Sequence, residues 1–392
     1  MRKISLLTIG MFALGFDAYI VAGLLPDICA TFQISESIAG QAVSVFTLCY
    51  ALAAPIFATL FAGKPLRDIL VFALAVFTLA NVASALAPNF LVLLIARAIA
   101  GMGAGLFSPL ASVGASSIVS KPNRGRALGL ILGGMSMGTV VGVPVGLIME
   151  DYMGWQGPLW LIASISLIAL GGILTCFPNI KVQAVPSLRQ RLVMLTNNRV
   201  LTIVSITFIT SVASLGLYTY ISVLFQNTGG NPNITPFLWT WGIGGVVGSF
   251  SIGPLIDRTG KSALLMGGIL AILMFAMFCL PFAMKHPSLV FLPFFFWGAM
   301  GWASQAPQQH VLFHTPHVQG ESVIALNSSA NYLGSAVGSM LGGFALSTIL
   351  KPDQLPLAAG SLVLIALIGQ ITILLTRIKI HNHKIERIEE ES

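Results

Sequence analysis

The chain has 392 residues, of which 56% are hydrophobic and only 8% charged, with 40 Gly and 20 Pro. Soluble domains carry charge on about a quarter of their residues, so this composition excludes a soluble globular protein and turns the apolar excess toward lipid. The net charge of +7 does not point to nucleic acid, because Lys and Arg sit in short loops between apolar runs, with no basic stripe interleaved with aromatics.

Runs long enough to cross ~30 Å of hydrocarbon at ~1.5 Å per residue fall at 4–26, 38–61, 69–88, 90–118, 127–149, 158–178, 200–226, 236–256, 263–284, 289–313, 322–349 and 356–377. They predict an all-α membrane protein of twelve transmembrane helices. The first run follows Met-Arg-Lys like a secretory signal, but it reaches Pro26 and carries Asp17 at its middle, so it reads as an uncleaved helix. Arg2, Lys3, Lys64, Arg67, Lys121, Arg124, Arg126, Lys181, Arg189, Arg191, Arg199, Arg258, Lys261, Arg377, Lys379, Lys384 and Arg387 fall on one side of this topology, and only Lys285 and Lys351 on the other. The positive-inside rule then predicts two cytoplasmic termini. The loops carrying Asp27, Glu36, Glu150, Asp151 and Asp353 face outward. Cys49, Cys176 and Cys279 lie inside apolar runs and Cys29 near a helix end, which gives neither a disulfide framework nor a CxxC metal site.

The polar stretch 179–199 reads as a cytoplasmic connector between six-helix bundles at 1–178 and 200–378, with a cytoplasmic tail at 379–392. Internal repetition supports that division. Leu14 to Ile20 (LGFDAYI) aligns with Leu215 to Ile221 (LGLYTYI), and Gly138, Gly142 and Gly146 align with Gly334, Gly338 and Gly342 at nearly the same offset. Two pseudo-symmetric halves around a central site are one way transporters are built.

Four motifs carry a family resemblance. Gly253 to Lys261 (GPLIDRTGK) resembles the G-x-L-x-D-R-x-G-R/K loop, whereas its counterpart at Phe61 to Asp68 (FAGKPLRD) lacks the Asp-Arg pair. Leu93 to Gly105 (LLIARAIAGMGAG) resembles L-x-x-x-R-x-x-x-G. Gly15 to Pro26 (GFDAYIVAGLLP) resembles an Asp-containing first-helix motif, and Leu132 to Gly146 (LGGMSMGTVVGVPVG) an antiporter glycine-proline motif with Val143 in place of its glycine. On these residues the chain resembles the major facilitator superfamily, in its twelve-helix drug:proton antiporter family and AraJ-like efflux branch. The resemblance implies proton-coupled export of amphipathic drugs or small metabolites by alternating access, by a monomer in a bacterial inner membrane, with small molecules, protons and lipid as partners. Sugar or nucleobase export, and a substrate sensor without transport, are the alternatives.

Asp17 is the one carboxylate well inside a span, and intramembrane charge is a functional hypothesis by default. Asp17 lies nine residues before Pro26 and Arg97 eight after Asn89, which puts both roughly 12–14 Å below the outer surface at ~1.5 Å per residue. The two are therefore at matching depth, and because the first and fourth helices both line the cavity in the superfamily, the resemblance implies that they can meet and couple protonation to conformation; a purely structural pair is the other reading. Asp257, with Arg258 and Lys261, is expected to lock helix ends at the cytoplasmic face, with a tight turn whose charges only fix topology as the alternative. Gly138, Gly142, Pro144 and Gly146 are expected to make a tight, bendable interface between the halves, with a plain packing stripe as the alternative.

The second half carries no counterpart charge: Asp17 is matched by Tyr218. The substrate cavity is expected from Tyr19, Tyr218, Tyr220, Trp297, Trp302, Gln305, Gln308, Gln309, Asn327 and Asn331, whose rings and amides suit an amphipathic ligand. For Asn327 and Asn331, one turn apart, bonding between helices is the first expectation and ligand contact the second. His310, His314 and His317 have no carboxylate or thiol beside them, and Pro316 interrupts the run. No metal site is expected. No Walker, GxSxG or HExxH motif occurs, so neither a cofactor nor an enzyme is expected.

Overall fold

A computed structural model describes residues 2–61, 64–120, 123–180, 188–226, 234–286, 288–315 and 320–390. Twelve long helices, some of them broken, account for most of these. They are α1 (Arg2–Phe32), α2 (Gln41–Leu60), α3 (Leu66–Ala85), α4 (Phe90–Ser117), α5 (Arg124–Met137, continuing through a π turn at Gly138–Gly142 into Val143–Met153) and α6 (Gln156–Cys176). The second set is α7 (Asn198–Thr219, then Ile221–Gln226), α8 (Thr235–Thr259), α9 (Ser262–Ala283), α10 (Phe291–Ala303, then Gln305–Phe313), α11 (Gly320–Thr348) and α12 (Leu355–Glu390). A short helix, Leu188–Val193, lies in the connector. Lys121, Lys181, Pro316 and His317 lie outside the described residues.

Local chemistry sets several helix boundaries. Asn89 caps α4 by accepting from the Val92 amide at 3.0 Å, and Asn197 caps α7 in the same way from Arg199 and Val200. Gly260 ends α8 at φ +62°, a left-handed stop that favours glycine, and donates to Ile256 O at 2.8 Å. The prolines act by withholding an amide from the carbonyl four residues earlier. Pro144 leaves Val140 O without its partner, and α5 widens there into the π turn. Pro307 does the same to Ala303 O, and α10 breaks at Ser304 rather than running unbroken.

At Pro26 the outcome departs from the expected helix end. α1 runs through Pro26 to Phe32, and the Ala22 carbonyl that Pro26 releases accepts from Ser222 Oγ of the other half at 2.9 Å. A distant hydroxyl thus replaces the missing amide.

The halves repeat each other's packing. α1 packs on α5 as α7 does on α11, α2 on α4 as α8 on α10, and α3 on α6 as α9 on α12. Glycines permit the close approaches: a β-carbon on Gly15 would overlap Met135 O, one on Gly138 would overlap Phe12 O, and one on Gly216 would press on Gly338. The stripe of Gly138, Gly142 and Gly146 therefore seats α5 on Phe12, Phe16 and Ile20 of α1 within one half. This corrects the expected interface between halves, because α5 meets the other half away from the stripe, as where Val140 packs on Gly242 of α8. The stripe faces α1 because the bulky Phe16 ring needs the space that Gly142 and Gly146 leave.

Nine helices among the described residues are long and apolar enough to cross a membrane by length and composition; α8, α10 and α11 fall short. α10 falls short in length, because the break at Ser304 leaves pieces of 13 and 9 residues, whereas glycine and polar side chains lower the hydropathy of α8 and α11; all three line the central cavity described below.

Candidate functional site

The central polar feature of the first half is a sealed ion pair. Arg97 Nη1 donates to Asp17 Oδ1 at 2.6 Å, and Nη2 reaches the Asp17 carbonyl at 3.4 Å. Asp17 is 0% exposed and Arg97 1%. The Phe46 ring lies under the guanidinium, 4.3 Å from ring centre to Cζ, where a desolvated cation is attracted to the π face. Asn81 Nδ2 approaches Asp17 Oδ2 at 3.5 Å while also donating to Phe77 O at 3.1 Å. Asn81 and Phe46 were not singled out from sequence, since a lone amide or ring in an apolar helix has no spacing signal.

A cavity of about 420 Å³ lies between the halves. Its wall draws on the middle and connector-side parts of α5, α7, α8, α10 and α11, with Tyr19 contributed by α1. Of the expected cavity residues, Tyr19, Trp302, Gln305, Gln309 and Asn331 line it. Tyr218, Tyr220, Trp297, Gln308 and Asn327 do not. Trp297 stands behind the wall and donates its indole N–H to Ser214 Oγ at 2.8 Å. Tyr218 packs between Tyr19 and Trp241, at 5.3 and 4.5 Å between ring centres, in an aromatic block at the deep end.

Gln308 and Asn327 do not line the cavity themselves but bond Thr207, which does. The Thr207 hydroxyl bonds both amides, with Asn327 Oδ1 at 2.6 Å. One hydroxyl has one proton, so it donates to one amide oxygen while the other amide presents its NH2, which also gives a partner to a buried amide nitrogen. This knot joins α7, α10 and α11. Asn331 is the asparagine of the pair that faces the cavity, accepting from Gln305 Nε2 at 3.0 Å.

On the side away from the connector the halves close on each other. Besides the Ser222 bond to Ala22 O, Ser339 Oγ donates to Gly40 O at 3.1 Å, and the Tyr220 hydroxyl donates to Ser339 O at 2.8 Å. A β-carbon on Gly40 or Gly343 would collide with that hydroxyl. Tyr220 thus belongs to a seal rather than to the cavity wall. On the connector side, Asp257, Arg258 and Lys261 are exposed, and no ion pair among the described residues involves them. Arg191, on the connector helix, is buried there and donates to Ser329 Oγ of α11 at 3.0 Å. The His310 and His314 rings lie tilted with centres 4.4 Å apart, and Ser262 Oγ is 3.0 Å from His310 Nδ1.

This arrangement of two repeated bundles around a cavity sealed at one end has a sequence match to go with it: residues 7–339 match the Major Facilitator Superfamily. The chain belongs to that superfamily. As a member it is a multi-pass membrane transporter, of a family that carries small molecules and whose members are generally not enzymes. It is similar to the inner membrane transport protein YdhP of Escherichia coli, 29% identical over 365 residues, or 92% of this chain and 93% of that one. A chloramphenicol resistance protein of Streptomyces lividans is 29% identical over 269 residues, 67% of this chain and 69% of that protein. Among solved structures, a mutant form of the nucleoside transporter NupG has the same fold, with a TM-score of 0.75 at 13% identity over 95% of this chain and 99% of that one.

Proposed function

We propose that this transporter is a proton-coupled exporter of the drug:proton antiporter type, moving a small amphipathic molecule outward as a proton moves inward. The observation that carries the reading is the sealed Asp17–Arg97 pair beside a cavity into which it does not open. A membrane core offers less costly ways to hold helices together than a buried charge pair, whose desolvation offsets most of its attraction. A carboxylate left there without its cation is costly enough that such groups take up a proton instead, so separating the pair ties protonation to conformation.

The burial also sets the form of the coupling. A substrate in the cavity does not touch Asp17 in this state, so direct competition between substrate and proton for one carboxylate, as a cationic substrate would give, is replaced by coupling through helix movement. Tyr19 is the mechanical link: it is two residues from Asp17, lines the cavity, and packs on Tyr218 and Trp241 of the other half. One carboxyl carries one proton per cycle. Orientation follows from loop charge: with the connector cytoplasmic, the sealed end faces outward, the cavity belongs to the cytoplasmic side, and Asp257 stands unlocked, as a state that loads cargo from inside requires. Resistance to chloramphenicol in the similar Streptomyces protein supports efflux as the direction.

The test is an imposed pH gradient across proteoliposomes containing the full chain, with ligands chosen by thermal stabilisation of the purified protein. Antiport predicts dissipation of the gradient only when such a ligand is added. A ligand that moves without changing the gradient refutes coupling, and a ligand that binds but never moves favours a sensor.

A further inference from the structure

A second hollow lies between α7, α11 and α12. Ala213 and Gly216 of α7 form its floor, Leu341 and Ala345 of α11 one wall, and Ala358 and Leu362 of α12 the other. It is turned away from the central cavity, which α7 meets through Ser211, Ser214 and Leu215 on its other face. The volume is about 120 Å³, and every residue that lines it is apolar or glycine. Leu341 is 53% exposed, so the hollow opens outward, and around three membrane-crossing helices the outside is lipid.

The hollow exists because small residues stand where helices otherwise interlock. α11 seats on α7 through Gly216 and Gly338, and beside that contact Ala213, Ala345 and Ala358 reach no further than a methyl group. Helices in a bilayer are held by close contact rather than by escape from water, so a slot of this kind favours whatever fills it. From Leu355 to Leu362 it follows α12 for seven residues, ~10 Å at ~1.5 Å per residue, with room for about four groups of ~30 Å³ each. A helix is ~10–12 Å across and does not enter such a space. A hydrocarbon chain does.

Leu350 and Leu355 close the slot at the end away from the connector, and the turn between them carries both signs of charge. Lys351 and Asp353 are exposed, and no ion pair among the described residues involves either. Their turn is fixed: the Lys351 amide donates to Gln354 Oε1 at 3.0 Å, and the Gln354 amide donates back to the Lys351 carbonyl at 3.0 Å. A cation and an anion two residues apart at the mouth of an apolar slot complement the phosphate, the ammonium and the chain of one lipid.

We infer that the hollow is a lipid site, taking one acyl chain of a zwitterionic phospholipid whose phosphate meets Lys351 and whose ammonium meets Asp353. Gly342 also lines the slot, and a β-carbon on it would press on the Tyr220 ring, so the lipid backs α11 behind the seal. The inference does not rest on the proposed export role, on protons or on direction.

The test is photolabelling of the full-length protein in nanodiscs of phosphatidylglycerol, doped with a trace of either phosphatidylethanolamine or phosphatidylglycerol carrying a diazirine on one acyl chain, with the labelled residues mapped by mass spectrometry. Labelling in the hollow is divided by labelling at Leu167 and Ile168, exposed on α6, which cancels the reactivity of each probe. The expected ratio is at least fivefold higher for the phosphatidylethanolamine probe. Lys351→Glu should lower it to the phosphatidylglycerol value, and Ala358→Leu, which fills the slot from its own wall, should remove labelling there for both probes while α6 labelling and the melting temperature stay unchanged. Equal ratios for the two probes, labelling of the hollow that survives Ala358→Leu, or a crosslink from one chain to another through the hollow, which assigns it to a second copy, overturns the inference.

Discussion

Removing Arg97 is the perturbation whose cost follows most directly from the structure. Arg97→Gln deletes the 2.6 Å bond to Asp17 and the guanidinium over Phe46, leaving an acid at a site with no solvent and one weakly placed amide, Asn81. Breaking one side of a buried pair costs about 3–5 kcal/mol. Asp17→Asn is milder, because the amide oxygen still accepts from the guanidinium and the ring contact stays; losing the charge on one partner of such a bond costs about 1.5–3 kcal/mol. In the double variant neither charge remains to be stranded, so it should be more stable than the sum of the single changes implies, with a coupling energy of about 1–3 kcal/mol. The assay is reversible unfolding of detergent-purified protein followed by tryptophan fluorescence, with all four proteins at one pH. Wild-type stability of Arg97→Gln, or strict additivity in the double variant, would refute the claim that the pair is a coupled, desolvated unit.

Other consequences can be checked in parallel. Ser222→Ala and Tyr220→Phe each remove one hydrogen bond from the seal, worth about 1 kcal/mol, so each should raise labelling of a cysteine probe placed in the cavity by about fivefold from the outer side; unchanged labelling would mean the seal is held elsewhere. Asp257→Asn should disfavour the state closed on the connector side by about 1 kcal/mol, the scale of a charge at a helix end, and raise labelling from that side, whereas no change with normal expression leaves the loop as a topology anchor. Gln308→Ala should destabilise the protein by about 1–3 kcal/mol through the broken Thr207–Asn327 knot with little change in substrate profile, while Trp302→Ala should alter the profile. A reversal of those two phenotypes would place Gln308 in the cavity.

How far the site could be read from sequence depends on whether a residue's role is local. Nine of the described helices have the length and hydropathy that lipid demands of each helix alone, while α8, α10 and α11 fall short of it and were legible as apolar runs bounded by polar loops. Asp17 and Arg97 were legible as the charges inside the first and fourth spans, and Asn89 is a true helix cap, but the depth of Asp17 was counted from Pro26, which α1 runs past to Phe32, and it was the family resemblance that brought the two helices together. The end of α1 was not legible: α1 continues through Pro26, and the carbonyl that Pro26 frees is paired by Ser222, almost two hundred residues on. Gln308 and Gln309 are adjacent in sequence and differ in role because Thr207 captures the first while the second stays on the wall. Asn327 and Asn331 share a helix face, yet one is tied behind the wall and the other stands in it. Which way an amide turns is decided by the helix packed against it, and no period in one helix reports that.

The central claim is that Asp17 carries the coupled proton. Proteoliposomes containing Asp17→Asn, folded and still binding ligand with wild-type affinity, should equilibrate that ligand down its gradient but fail to concentrate it against the gradient when a pH difference is imposed, whereas wild type concentrates it. Uphill transport by Asp17→Asn at the wild-type rate and with the wild-type pH dependence would contradict the account.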